Sequence, residues 1–223
     1  MKTLELEYSL ASASSSTLLN IVYLNSGFTS LNSLSIVLLS PTRTACIGCF
    51  LLIRFSLLYD EVSVKVGYEY LEGPGKVMGL APYGKASKYY ENLKSFIRFD
   101  DEDYPFRFVV PGKWRVKGGD FYEPYVFITN SLYLGGKVSW DPHGGLHPDA
   151  VDLAWAVQAV TEEAMLHLAK WAREHTGGDK LGLAGGVALN AKANMVIHYA
   201  KLFNDLFIFP AANDAGTPIG AAA

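Results

Sequence analysis

The sequence predicts an α/β fold in which helices flank a mainly parallel sheet. Three observations carry this. Apolar residues step by three and four from Leu153 to Trp171, a strand–glycine–helix unit runs from Lys180 to Ala200, and a second such unit begins at Leu206. At 223 residues the chain makes one large domain or two small ones. Half of it is hydrophobic and 18% is charged, which supports a packed core and excludes a disordered chain. The net charge of −3 offers no basic field for phosphate backbones, so no nucleic-acid partner is expected.

The first element is set apart by composition. Residues 1–54 hold five charged side chains (Lys2, Glu5, Glu7, Arg43 and Arg54) and ten serines, and charge then rises to about one residue in five. The shift places a boundary between an atypical segment, 1–54, and a regular one, 55–223. Lys2 is the only early cation and no compact apolar stretch follows it, unlike a secretory signal. The apolar run from Ala45 to Tyr59 is cut by Arg54 and falls short of the roughly 18–20 residues a membrane helix needs. A membrane role is therefore disfavoured and a cytoplasmic location expected. Cys46 and Cys49 form a single CxxC with no second pair, too few ligands for zinc and too few cysteines for a disulfide framework.

From Phe55 to Gly67, Leu58, Val62 and Val66 share one helical face. Glu72 to Gly84 carries four glycines and two prolines, and reads as a shaped loop at a site. Residues 100–140 read as β-rich or irregular, with alternation at Phe106, Phe108 and Val110 and again at Tyr125 and Phe127. The clearest helix spans Val151 to His175, with Asp149 as its N-cap and Gly177-Gly178 as its stop. Lys180 to Ala184 is then a strand, Ala191 to Ala200 a helix, Leu206 to Pro210 a strand, and Pro218 opens a further helix. Leu183 and Phe207 should be buried in the sheet.

Two loops carry the functional reading. At Gly185-Gly186 a strand meets a helix with no side chains at the junction, so a ligand can touch backbone near a helix N-terminus. The same pair also suits a tight turn required only for packing. In Asn213-Asp214-Ala215-Gly216-Thr217 a carboxylate lies beyond a strand's C-terminal end, where α/β proteins bind ligands. Asp214 serves equally as a helix cap. Neither a GxxxxGK[ST] loop nor a GxGxxG fingerprint is present.

Three stretches in order, Gly75-Lys-Val-Met-Gly-Leu-Ala-Pro-Tyr-Gly84, Leu183-Ala-Gly-Gly-Val-Ala-Leu-Asn190 and Pro210-Ala-Ala-Asn-Asp-Ala-Gly216, resemble signatures of the NodU/CmcH-type O-carbamoyltransferases. A long helix containing Asp152-Leu-Ala-Trp-Ala-Val-Gln158 separates the first two, and the likeness runs from Phe55 to Ala223. It implies part of a ribonuclease-H-like, actin-like ATPase domain, related to the enzymes that place threonylcarbamoyl on tRNA. It implies carbamoyl phosphate and ATP as substrates, carbamoyl-adenylate as intermediate, and a small hydroxyl-bearing acceptor. Carried over by residue, Gly185, Gly186 and Asn190 line the nucleotide pocket, Asp214 is a ligand of a divalent metal (iron or magnesium), and Lys76 is the cation near the phosphates. A homo-oligomer is compatible with it.

The departures matter as much. The family's early phosphate loop and its two histidines four apart have no counterpart in residues 1–54, which contain no histidine. His143-Gly-Gly-Leu-His147 has the spacing, but its glycines and Pro142 oppose a helix and it follows the GKVMG stretch. With Asp214 as the sole metal ligand and one edge of the nucleotide site, the chain alone is expected to bind metal and ATP weakly and to transfer no carbamoyl group. The expectation is a carbamoyltransferase part; the alternatives are a non-catalytic nucleotide-binding module and a tRNA threonylcarbamoyl-transfer protein.

Overall fold

The computed structural model describes residues 35–39, 45–47, 50–69, 72–99, 107–108, 147–216 and 218, with 35–39, 45–47, 50–55, 107–108 and 214 described by backbone alone. The organising element is a 29-residue helix, α4 (Pro148–Thr176). Leu153, Val157, Val160, Ala164 and Leu168 of the expected stripe are buried, Trp171 at its end is only half-buried, and Ala156, Met165, Ala169 and Ala172 outside it are buried too. Burial on more than one side follows from position. Helices α1 (Phe50–Val66), α2 (Gly73–Leu80), α3 (Lys88–Ser95) and α5 (Ala191–Tyr199) all pack on α4. The many alanines let their backbones come close.

The start of α4 differs from expectation. Pro148, with its fixed φ, takes the first helical position, so the N-cap moves upstream to His147, whose Nδ1 accepts from the Asp149 backbone N–H at 3.2 Å. Asp149 sits inside the first turn instead and accepts a 2.7 Å hydrogen bond from the Tyr89 hydroxyl. The stop is as expected: Gly177 is left-handed, and its N–H returns to the Arg173 carbonyl.

Helix α1 starts at Phe50, five residues before the compositional boundary, and buries Leu58, Val62 and Val66 completely. The glycine-rich stretch after it is a helix, not a loop. Pro74 lies in the first turn of α2, where its missing N–H costs nothing, Val77 and Leu80 are buried, and a 3-10 turn (Ala81–Tyr83) closes the segment. Gly84 then passes so close to α4 that a Cβ there would stand 2.0 Å from the Val151 carbonyl oxygen. Next to it the Lys85 N–H donates to Asp152 at 3.0 Å.

Strands β1 (Ser35–Leu39), β2 (Ala45–Ile47), β5 (Lys180–Ala184) and β6 (Asp205–Ile208) form one sheet in the order β2-β1-β5-β6. A separate pair joins β3 (Ile97–Arg98) and β4 (Arg107–Phe108). The expected parallel pairing of β5 with β6 is present, but β1 runs antiparallel to both β2 and β5, so among the described residues the sheet is mixed. Leu183 is buried as expected and pairs with Ile208. Phe207 is not: 58% of it is exposed, because the pleat turns Leu206 and Ile208 onto the core and Phe207 to the other face. Of the expected alternations, Phe106, Val110, Tyr125 and Phe127 lie outside the described residues, as does the helix beyond Pro218. Among the described residues no helix is long and apolar enough to cross a membrane.

Candidate functional site

Where β5 ends, the chain turns sharply. Gly185 adopts φ 100° and ψ 168°, a conformation costly for any side-chain-bearing residue, so glycine is required for the backbone itself. Its N–H donates to the Ala212 carbonyl, which ties this turn to the loop following β6. A 3-10 turn, Gly186–Leu189, stands between the strand and α5, so the expected direct strand-to-helix junction is replaced by a short coil of backbone. Asn190 caps α5, its side-chain oxygen accepting from the Ala193 N–H at 3.0 Å.

A cavity of about 380 Å³ opens in front of this turn, large enough for a nucleoside-sized ligand. Gly186, Val187, Leu189 and Asn190 form one wall, and Asn213 borders it from the tied loop. Ser56, Tyr59 and Asp60 of α1 face them, Thr161 of α4 contributes part of the wall, and Pro74, Gly75 and Met78 of α2 complete it. Pro74, Gly75 and Met78 of the GxGKVMG stretch thus border the cavity, and they reach it on a helix and not on the expected loop.

The polar side chains here are organised. Gln158, on α4 and 4% exposed, donates from Nε2 to Glu162 at 2.8 Å and to the Asn190 oxygen at 3.1 Å. Its Oε1 accepts from the Tyr59 hydroxyl at 2.7 Å and from Asn190 Nδ2 at 3.0 Å. Burial, with the Glu162 charge adding to it, holds the Tyr59 phenol protonated far above its ordinary range. The Asp60 carboxylate is buried on the cavity wall. The Thr161 hydroxyl donates to the Val157 carbonyl at 2.7 Å, one turn earlier on α4.

The residues expected from sequence fall into three groups. Gly186 and Asn190 line the cavity, and Gly185 stands behind them as the turn that shapes it. Asp214 begins a 3-10 turn, Asp214–Gly216, one residue beyond the cavity-lining Asn213, and its side chain lies outside the described residues. Lys76 follows the cavity-lining Gly75 but is not itself part of the lining. Its ammonium lies 3.7 Å from Glu72 and 5.6 Å from the centre of the Tyr68 ring, with half of the side chain exposed. Tyr59, Asp60, Gln158 and Thr161 were not singled out by sequence reasoning.

Among the described residues no three His, Cys, Asp or Glu side chains converge, and the Asp214 side chain lies outside them. Cys46 lies in β2 opposite Val37, and Cys49 and His143 lie outside the described residues. The lining combines apolar walls at Val187, Leu189 and Met78 with one buried acidic side chain, Asp60, an arrangement typical of small-molecule pockets.

The family described as Carbamoyltransferase N-terminus matches residues 50–223. An uncharacterised protein of Synechocystis sp. is 35% identical over 169 residues, covering 74% of this chain and 26% of its own length. Nodulation protein NolO of Bradyrhizobium diazoefficiens is 34% identical over 147 residues, covering 66% of this chain and 24% of its own. Nodulation protein NolNO of Sinorhizobium fredii is 31% identical over 166 residues, covering 74% and 22%. The chain therefore spans about a quarter of the length of the curated relatives it matches.

Proposed function

The chain belongs to the carbamoyltransferase N-terminus family, and from that premise we propose that it supplies the nucleoside-holding part of an enzyme that activates carbamoyl phosphate with ATP. The product is carbamoyl-adenylate, whose carbamoyl group passes to a hydroxyl of a small acceptor. The observation that carries this reading is the cavity at the Gly185-Gly186 turn, where glycine backbone, the Asn190 amide and a buried carboxylate meet in one apolar-walled space.

In that reading the Gly186 backbone lies against the ligand where a side chain would block it. Asp60 accepts from sugar hydroxyls, Asn190 marks one polar atom of the ligand, and Val187, Leu189 and Met78 exclude water from the ring. A divalent metal, where bound, would offset phosphate charge, with Asp214 among its ligands, and Lys76 would turn from Glu72 towards the phosphates. The wider architecture is an actin-like lobe, within an enzyme that also needs the remaining three-quarters of the relatives' length.

Titration of the purified chain with ATP and with adenosine, followed by amide chemical shifts, tests the proposal. Shifts clustered at residues 185–190, 59–60 and 213, and abolished by Asn190→Ala in a folded protein, are the expected result. Shifts scattered elsewhere, or none at millimolar nucleoside, sink it. Binding without carbamoyl-adenylate formation, when carbamoyl phosphate and magnesium or iron are added, is the expected behaviour of the isolated chain.

A further inference from the structure

Gln158 does not line the cavity, yet it is hydrogen-bonded to two side chains that do, Tyr59 and Asn190. Its four bonds fix more than its own position. Glu162 can only accept, so the Gln158 group facing it must be the NH2, and Oε1 must then face Tyr59 and Asn190. At the other end of the pair, the Ala193 N–H can only donate, so the Asn190 atom facing it must be the oxygen. The two constraints come from different helices and agree.

They leave Asn190 with little choice. Its oxygen has both lone pairs engaged, by Ala193 N–H and by Gln158 Nε2. One Nδ2 hydrogen goes to Gln158 Oε1. What remains of an amide that otherwise offers both characters is one N–H, on a residue that lines the cavity.

We propose that Gln158 is a positioning residue that clamps the Asn190 amide in one orientation, so that Asn190 meets its ligand as a donor only and selects an acceptor atom there. This rests on the reading that the cavity holds a nucleoside, whose base carries such acceptors. Clamping also orders the Asn190 side chain before the ligand arrives, which lowers the entropy lost on binding.

The test uses the whole chain, adenosine as probe, and the side-chain NH2 signals of Asn190. In the native protein one Asn190 hydrogen exchanges slowly with water and the other rapidly, and adenosine shifts the rapid one. Gln158→Met, close in length and without hydrogen bonds, makes both exchange rapidly and weakens adenosine about tenfold, the loss of roughly one hydrogen bond's worth of preorganisation. Asn190→Asp, which turns the donor into an acceptor, weakens adenosine by more than Asn190→Ala. Adenosine affinity unchanged by Gln158→Met but lost in Asn190→Ala would overturn the clamp and leave the nucleoside reading intact. Equal, rapid exchange of both Asn190 hydrogens in the native protein would overturn the clamp whether or not adenosine binds.

Discussion

Tyr59 shows how one side chain can serve the site and the stability of the fold together. Its phenol is buried and kept protonated well above the ordinary pH range of tyrosine, while the unfolded chain ionises it near pH 10. A group whose folded pKa is raised contributes stability below its unfolded pKa and loses it as pH climbs past that value. Tyr59→Phe should therefore cost about 1 kcal/mol at pH 8 through the lost bond to Gln158, and that deficit should shrink above pH 10. Urea unfolding of both proteins at pH 8, 10 and 11 measures it; a constant deficit would refute the assignment. Gly84 gives a second residue-scale prediction. With the Val151 carbonyl oxygen 2.0 Å from any added Cβ, Gly84→Ala must push the 3-10 turn off α4. A loss of about 2–4 kcal/mol is expected, as for overpacked or strained sites, read as a lowered thermal midpoint. The cavity residues were unevenly legible at this scale. Gly186 and Asn190 lie in a glycine-rich junction that draws the eye, whereas Tyr59 and Asp60 look like the polar side of an amphipathic helix. Gln158 did carry a signal: it is a lone amide in the apolar stretch Leu153–Val160, where every polar group must find a partner.

At the scale of elements, what could be read from sequence depended on whether one face or two were buried. Helix α4 was legible because a 3.6-residue stripe survives even when neighbouring faces are also covered. Strand β6 was legible as a strand but not in its orientation. Leu206-Phe207-Ile208 is apolar on both faces, and only the sheet decides that the even positions turn inward. The stretch from Glu72 to Gly84 failed for a different reason: glycine and proline oppose helix by propensity, but packing of Val77, Leu80 and Ala81 on α1 and α4 overrides them. The cap at His147 was missed because proline's preference for the first helical position outranked the familiar aspartate cap. A contrast of two substitutions tests the element assignments. Leu168→Ala, in the middle of α4 and 1% exposed, should cost about 2–5 kcal/mol. Phe207→Ser should change stability by no more than about 0.5 kcal/mol, as exposed positions do. A large loss at Phe207 in chemical denaturation would mean that this face of β6 is covered.

The architecture of the whole molecule was the least legible level, and the reason is topological. The antiparallel partner of β5 is Ser35–Leu39, drawn from the low-charge segment, and no local pattern reports a pairing across so long a stretch of chain. Charge, by contrast, is a whole-molecule property that sequence does report, and it bears on the ligand. The chain carries a net −3, and the described cavity lining contains the Asp60 carboxylate but no lysine or arginine. Lys76, the nearest candidate on α2, is engaged with Glu72 and the Tyr68 ring. A triphosphate brings several negative charges to this surface, whereas a nucleoside brings none. The isolated chain should accordingly bind adenosine at least as tightly as ATP, the reverse of an enzyme whose phosphate site is complete. Because much of the penalty on ATP is repulsion from the chain's net −3 acting through solvent, it should relax with ionic strength. Raising salt from about 20 mM to about 300 mM, a range over which the Debye length falls severalfold, should improve ATP binding and leave adenosine unchanged. Lys76→Glu should leave adenosine untouched and weaken ATP further if Lys76 can swing to the phosphates. ATP binding much tighter than adenosine at low salt would show that a cationic phosphate site is already assembled on this chain.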